Sequence, residues 1–176
     1  KTHQTLEHIT KLNNSLLLLS KIDNRQFSET QTVEFNSMLK RYIEDYEEVY
    51  GYREIELTLD EQGTFRAEMN ESLAVALITN LLKNAFVHNV DGGHIRIEIT
   101  DHSMTFRNSG TNRPLDATHI FERFYQGSKK EGSTGLGLAI ADSICKLQHL
   151  TLRYYFEKDE HCFELRKNNF TTDYAD

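Results

Sequence analysis

With 176 residues, 38% of them hydrophobic, and a formal net charge of −7, the chain can bury one good core but offers little to a nucleic-acid backbone or an anionic membrane surface. Its two cysteines, Cys145 and Cys162, lack metal-ligand spacing and form no disulfide framework, which points to a reducing compartment. No apolar run is long enough to span a bilayer and no stretch reads as a signal peptide. The first residue is Lys rather than Met, so the chain is expected to be a piece of something longer.

The first segment, from Thr5 to about Asp23, reads as a helix in need of a partner. Ile9, Leu12, Leu16 and Leu19 follow the three-four spacing of a bundle seam, and Leu6, Leu17, Leu18 and Ile22 widen the stripe. Such a helix packs in a dimeric bundle, against a segment absent from this sequence, or back on its own domain. The polar stretch Asp23 to Thr32 loses the period and reads as a linker, with a boundary near Gln31. A second helix from Asn36 to about Val49 has Asn36 as a possible cap. Ile55 to Leu59 then alternates, Asp60 to Gly63 turns, and Thr64 to Met69 returns as the second strand of a hairpin.

Glu71 to Asn89 (ESLAVALITNLLKNAFVHN) is the strongest helix. Ala74, Val75, Ile78, Leu81, Leu82, Ala85 and Phe86 share one apolar arc, whereas Asn80 and Asn84 stand four apart on roughly the opposite side. Asparagine is a poor interior helix residue, so the pair either ligates something outside the helix or lies on a solvated face. An amide oxygen is a hard neutral ligand suited to a magnesium ion carrying nucleotide phosphates. After a VDGG turn, His94 to Thr100 and Met104 to Arg107 form two strands, ending at Asn108, Ser109 and Gly110. A polar group at a strand end followed by Gly allows close approach of a flat ligand, or simply a turn.

Ala117 to Phe124 reads as a short amphipathic helix, and Tyr125 to Thr134 as a mobile, glycine-bearing, basic loop able to close over a ligand. In the stretch from Gly132 to Ile140, Gly135 and Gly137 let backbone amides turn toward an anion ahead of a helix that ends near Leu147. Thr151 to Glu157 and Cys162 to Lys167 close the sheet as a hairpin, and the tail from Asn168 is polar.

Four stretches occur in order: NLLKNA (Asn80 to Ala85), FRNSG (Phe106 to Gly110), IFERFYQGS (Ile120 to Ser128) and STGLGLAI (Ser133 to Ile140). Together they resemble the N, G1, F and G2 boxes of bacterial sensor histidine kinases, and the first helix is similar to the second helix of that family's dimerisation and phosphotransfer hairpin. The resemblance implies an α+β, two-layer α/β sandwich of the Bergerat ATP-binding type with a mixed sheet. It divides the chain into a hairpin helix plus linker at 1–31, an ATP-binding catalytic domain at 32–170 and a tail at 171–176.

By position, the resemblance places Asn84 on Mg2+ and Asn80 beside the triphosphate and metal, the two being the catalytic pair, with Lys83 and His88 as helpers. Asn108 stands where the family usually has an Asp that accepts from the adenine amino group; an amide oxygen accepts the same bond without the ionic strength. Gly110 gives the base close approach. Lid residues Arg123, Tyr125, Lys129, Lys130 and Thr134 reach the nucleotide, and Gly135, Leu136 and Gly137 offer amides to its phosphates. Val87 stands where the family commonly has Lys or Arg.

The phosphoacceptor motif, His then an acidic residue and a later proline, is absent: His3 precedes Gln4, His8 precedes Ile9, and Pro114 is the only proline. The fragment is therefore expected to bind ATP yet not label itself. Its implied partners are the acceptor helix of the same or a partner subunit, a response regulator and a second copy in a homodimer, and nucleic acid is not among them. The implied setting is the cytoplasmic side of a membrane-anchored kinase. A degenerate nucleotide-sensing or dimerisation scaffold, and another ATPase or kinase of the same superfamily, are the competing readings.

Overall fold

The computed structural model describes residues 2–125 and 135–168. The elements are α1 (Thr2–Asp23), β1 (Gln31–Glu34), α2 (Phe35–Tyr50), β2 (Glu56–Glu61), β3 (Arg66–Met69), α3 (Glu71–Val87), β4 (His94–Ile99), β5 (Ser103–Asn108), α4 (Gly137–Leu147), β6 (Leu150–Glu157) and β7 (Glu160–Lys167). A five-stranded mixed sheet runs β2-β4-β5-β7-β6, with β2 and β4 parallel and the other pairs antiparallel. Ile95, Ile97 and Ile99 of β4, Met104 and Phe106 of β5, and Phe163 and Leu165 of β7 turn to one face, where they are buried against α2, α3 and α4. This is the expected α+β two-layer sandwich, and the alternation of the strands generates it directly.

The opposite sheet face is polar and paired. Arg107 donates to Glu98 and Glu157 at 2.7 Å each, and Arg96 reaches Glu160 at 3.2 Å. Burial lowers the Arg107 pKa, but hydrogen bonds to the two carboxylates outweigh it and the net shift is upward.

Three local expectations are corrected. First, β2 and β3 do not form a hairpin: β2 lies parallel to β4, while β3 pairs with β1 in a separate two-stranded sheet. The cause is Phe65, fully buried and edge-on to Phe35 at 5.2 Å, which draws the chain out of the main sheet and under α2. Second, β1 takes in Gln31 and Thr32, the end of the stretch expected to be linker, because Val33 just beyond it is buried. Third, Asn36 does not cap α2. It lies one residue inside the helix, where its Oδ1 accepts from Phe65 N–H at 3.0 Å and its amide donates to Glu61 and Gly63. Asn36→Ala is therefore expected to lower stability by about 1–3 kcal/mol, since a buried amide loses its acceptor. Urea unfolding checks this, and nucleotide affinity is expected to stay unchanged.

The apolar stripe of α1 divides between two surfaces. Leu19 and Ile22 are buried and Leu12, Leu16 and Leu18 pack on the core, whereas Leu6, Ile9 and Leu17 remain exposed. Among the described residues no helix is long and apolar enough to cross a membrane.

Candidate functional site

Helix α3 begins at Asn70, whose side chain accepts from Leu73 N–H at 3.1 Å. Its other end is held from outside: the Arg53 guanidinium donates to the carbonyls of Phe86 and Asn89. Asn89, buried, continues the join. Its amide donates to Ala85 O and His94 O, and its oxygen accepts from Ser109 Oγ at 2.6 Å. The end of α3 is thereby tied to the end of β5, which sets Asn80 and Asn84 in register with Asn108.

A cavity of about 350 Å³ opens between α3, α4, the middle of α1 and the ends of β5 and β7. Asn80, Lys83, Asn84, Val87 and His88 line one wall. Asn80 donates to Ala76 O at 2.7 Å, and a Cβ added at Gly137 would come within 3.0 Å of its oxygen, so α4 starts in contact with it. The Asn84 carboxamide makes no hydrogen bond among the described residues. Among the described residues no carboxylate lines the cavity, and the lysines that do are Lys11 and Lys83. Burial pulls the Lys83 pKa down, and repulsion from Lys11 adds to this.

The far end is built by Asn108 and His161, paired across β5 and β7. Asn108 is 2% exposed; its amide donates to Ser109 O at 2.8 Å, and its buried Oδ1 has no partner among the described residues. His161 is clamped in a chain of bonds. Leu115 N–H donates to Tyr154 Oη at 2.9 Å, Tyr154 Oη bonds His161 Nδ1 at 2.7 Å, and His161 Nε2 bonds Thr111 O at 2.8 Å. Since Thr111 O can only accept, Nε2–H donates to it, and in the neutral ring Nδ1 accepts a hydrogen bond from the Tyr154 hydroxyl. Burial raises the Tyr154 pKa, which keeps that donor protonated. This chain pins the 111–115 segment, whose Thr111 and Leu115 face the cavity. Gly110 fits because a Cβ there would meet His88 O at 3.0 Å and His161 Cδ2 at 3.1 Å.

Asn80, Lys83, Asn84, His88, Asn108, Tyr125, Gly135 and Gly137 thus share one cavity. Gly110 stands behind it, and the Leu136 side chain is buried in the core rather than at its wall. Arg123 pairs with Asp23 of α1 at 2.9 Å, away from the cavity wall. Lys129, Lys130 and Thr134 lie outside the described residues. The short helix expected at Ala117 to Phe124 is a run of turns, a further correction. Asp116 accepts from Thr118 and Ile120 N–H, but Phe124 adopts φ 65° and bonds Gly135 O, which ends the helical course after one turn. Lys11, Asn14, Ser15, Thr111 and His161 line the cavity without having been legible as site residues. None belongs to a motif, and distant elements bring them in.

Residues 69–169 match the family described as histidine kinase-, DNA gyrase B-, and HSP90-like ATPases. The chain belongs to this family. Among curated relatives it is 28% identical over 163 residues to the heme sensor protein HssS of Staphylococcus saprophyticus, covering 89% of this chain and 35% of that protein. It is 34% identical over 147 residues to the sensor histidine kinase RppB of Synechocystis, covering 77% and 32%. The chain therefore spans about a third of the length of these relatives. In fold it matches the nucleotide-free catalytic domain of histidine kinase ThkA, with a TM-score of 0.71 at 20% identity over 80% of this chain and 96% of that one. It corresponds to the ATPase-type catalytic domain found in sensor histidine kinases.

Proposed function

We propose that the domain binds Mg-ATP in this cavity and passes the γ-phosphoryl group to a histidine on a dimerisation helix outside this sequence, for relay to a response-regulator aspartate. The observation that supports this reading most is the buried Oδ1 of Asn108, which has no partner among the described residues and is an acceptor suited to the adenine amino group. It sits at one end of a cavity whose other end presents the Asn80 and Asn84 amides and the Lys83 ammonium.

The donor set suits magnesium. Among the described residues no cluster of His, Cys, Asp or Glu could hold a metal by itself. Mg2+, however, keeps most of its shell from water and phosphate, so the Asn84 oxygen suffices as the protein's direct ligand, with Asn80 supporting. When bound, the ion neutralises phosphate charge and orients the oxygens. Lys83 adds cationic charge beside them, and the protein's task is positioning. A neutral imidazole nitrogen attacks Pγ, the bond to the bridging oxygen breaks, and ADP leaves.

On this reading 1–31 is the hairpin helix with its linker, 32–170 the catalytic domain and 171–176 the tail. The exposed Leu6, Ile9 and Leu17 fit a homodimeric bundle in the parent protein. The parent is placed at the membrane, with this domain on the cytoplasmic side. A neighbour of similar fold, ThkA, has been solved in complex with the response regulator protein TrrA, and ShkA in complex with AMPPNP. Val87 in the cavity wall favours one competing reading, a nucleotide-sensing scaffold without transfer.

Calorimetric titration with a nonhydrolysable ATP analogue, with and without magnesium, tests the site. Magnesium-strengthened binding is expected, and absence of binding by folded protein overturns the reading. Supplying an acceptor-helix segment and [γ-32P]ATP then separates a kinase, which yields acid-labile phosphohistidine, from a scaffold, which yields none.

A further inference from the structure

We propose that Lys11 of α1 is a phosphate-contacting residue, so that the triphosphate bridges α1 and α3 and the nucleotide site is completed by a helix outside the ATPase family match at 69–169. The proposal rests on the cavity being the ATP site.

Helical spacing brings Lys11, Asn14 and Ser15 to one face of α1, and all three line the cavity opposite Lys83 and Asn84. The helix is held in that position farther along. Leu19 and Ile22 are buried in the core, and Asp23 pairs with Arg123 at 2.9 Å. Two ammonium groups therefore converge on one cavity in a chain whose net charge is −7, and among the described residues no carboxylate lines the wall to offset them. One turn past Lys83, the same wall presents Val87, which cannot neutralise an anion. Lys83 is half-buried in the cavity wall that Lys11 also lines. Like charges brought together without a counter-ion are unfavourable unless an anion enters between them. A polyphosphate has the charge and the reach to do so, and the Asn14 and Ser15 side chains add polar partners for its outer oxygens.

A consequence is linkage. Bound triphosphate stabilises the docked position of α1, and loss of the terminal phosphate weakens it.

The test compares a nonhydrolysable ATP analogue with AMP by calorimetry in the presence of magnesium, for the wild-type chain, Lys11→Met and Lys11→Arg. Lys11→Met is expected to weaken the triphosphate about tenfold while leaving AMP affinity unchanged, and Lys11→Arg to restore most of the loss. The salt dependence of triphosphate binding is also expected to flatten in Lys11→Met. The unfolding midpoint of the free protein is expected not to fall, because Lys11 is exposed and its removal relieves repulsion. An unchanged triphosphate-to-AMP ratio in Lys11→Met, with wild-type protein binding both, overturns the role of Lys11 alone. Failure of the folded wild-type protein to bind either nucleotide overturns the ATP-site reading and the proposal with it.

Discussion

Asn84→Ala is expected to remove magnesium-dependent nucleotide binding and to lower phosphotransfer to a supplied acceptor by at least about 100-fold. The size of the effect follows from how little protein the metal engages. Among the described residues no carboxylate lines the cavity, so none stands ready to replace the neutral Asn84 oxygen as a hard ligand. The same substitution is expected to spare the fold. Its carboxamide makes no hydrogen bond among the described residues, and Ala is the better helix former by about half a kcal/mol. Titration with and without magnesium, beside thermal unfolding of both proteins, separates the two effects. Full magnesium dependence in the variant would remove Asn84 from the metal site.

Asn108→Leu is expected to weaken adenine nucleotide binding by about 10–100-fold while leaving the free protein close to its original stability. In the free domain the buried Asn108 oxygen has no partner among the described residues, so an apolar side chain of similar volume removes an unfavourable group. What is lost is the bond to Ser109 O, which lies at the edge of the site. In the complex the balance reverses, because the base amino group would be left facing methyl groups. A nucleotide lacking that amino group, such as ITP, is expected to lose little on the same substitution. Equal losses for ATP and ITP would show that the base lies elsewhere.

The parts of the site that were legible in the sequence lie within single elements. Asn80 and Asn84 share a helix face, Asn108 ends a strand, and Gly135 and Gly137 lead into α4, so each could be placed by local period and turn chemistry. Residues such as His161 and Tyr154 could not be found that way. They read as ordinary members of alternating strands, and only the β5-β7-β6 order brings them to the loop they hold. The failed hairpin has the same origin. A turn at Asp60 to Gly63 was visible, but whether β3 returned to β2 depended on where Phe65 could be buried, which is decided by α2.

By itself, the sequence determined the two-layer class, the identity of the long helix α3 and the order of the nucleotide-binding boxes. The helix rests on its period, where local geometry leaves few choices, and the class and the boxes rest on the resemblance carried by four short stretches in order. The tertiary structure alone decided that β2 lies parallel to β4, that the Asn108 oxygen is buried with no partner among the described residues, and that Lys11 and Lys83 line one cavity. Each of these depends on burial and charge summed over segments far apart in sequence, and no local pattern encodes that sum.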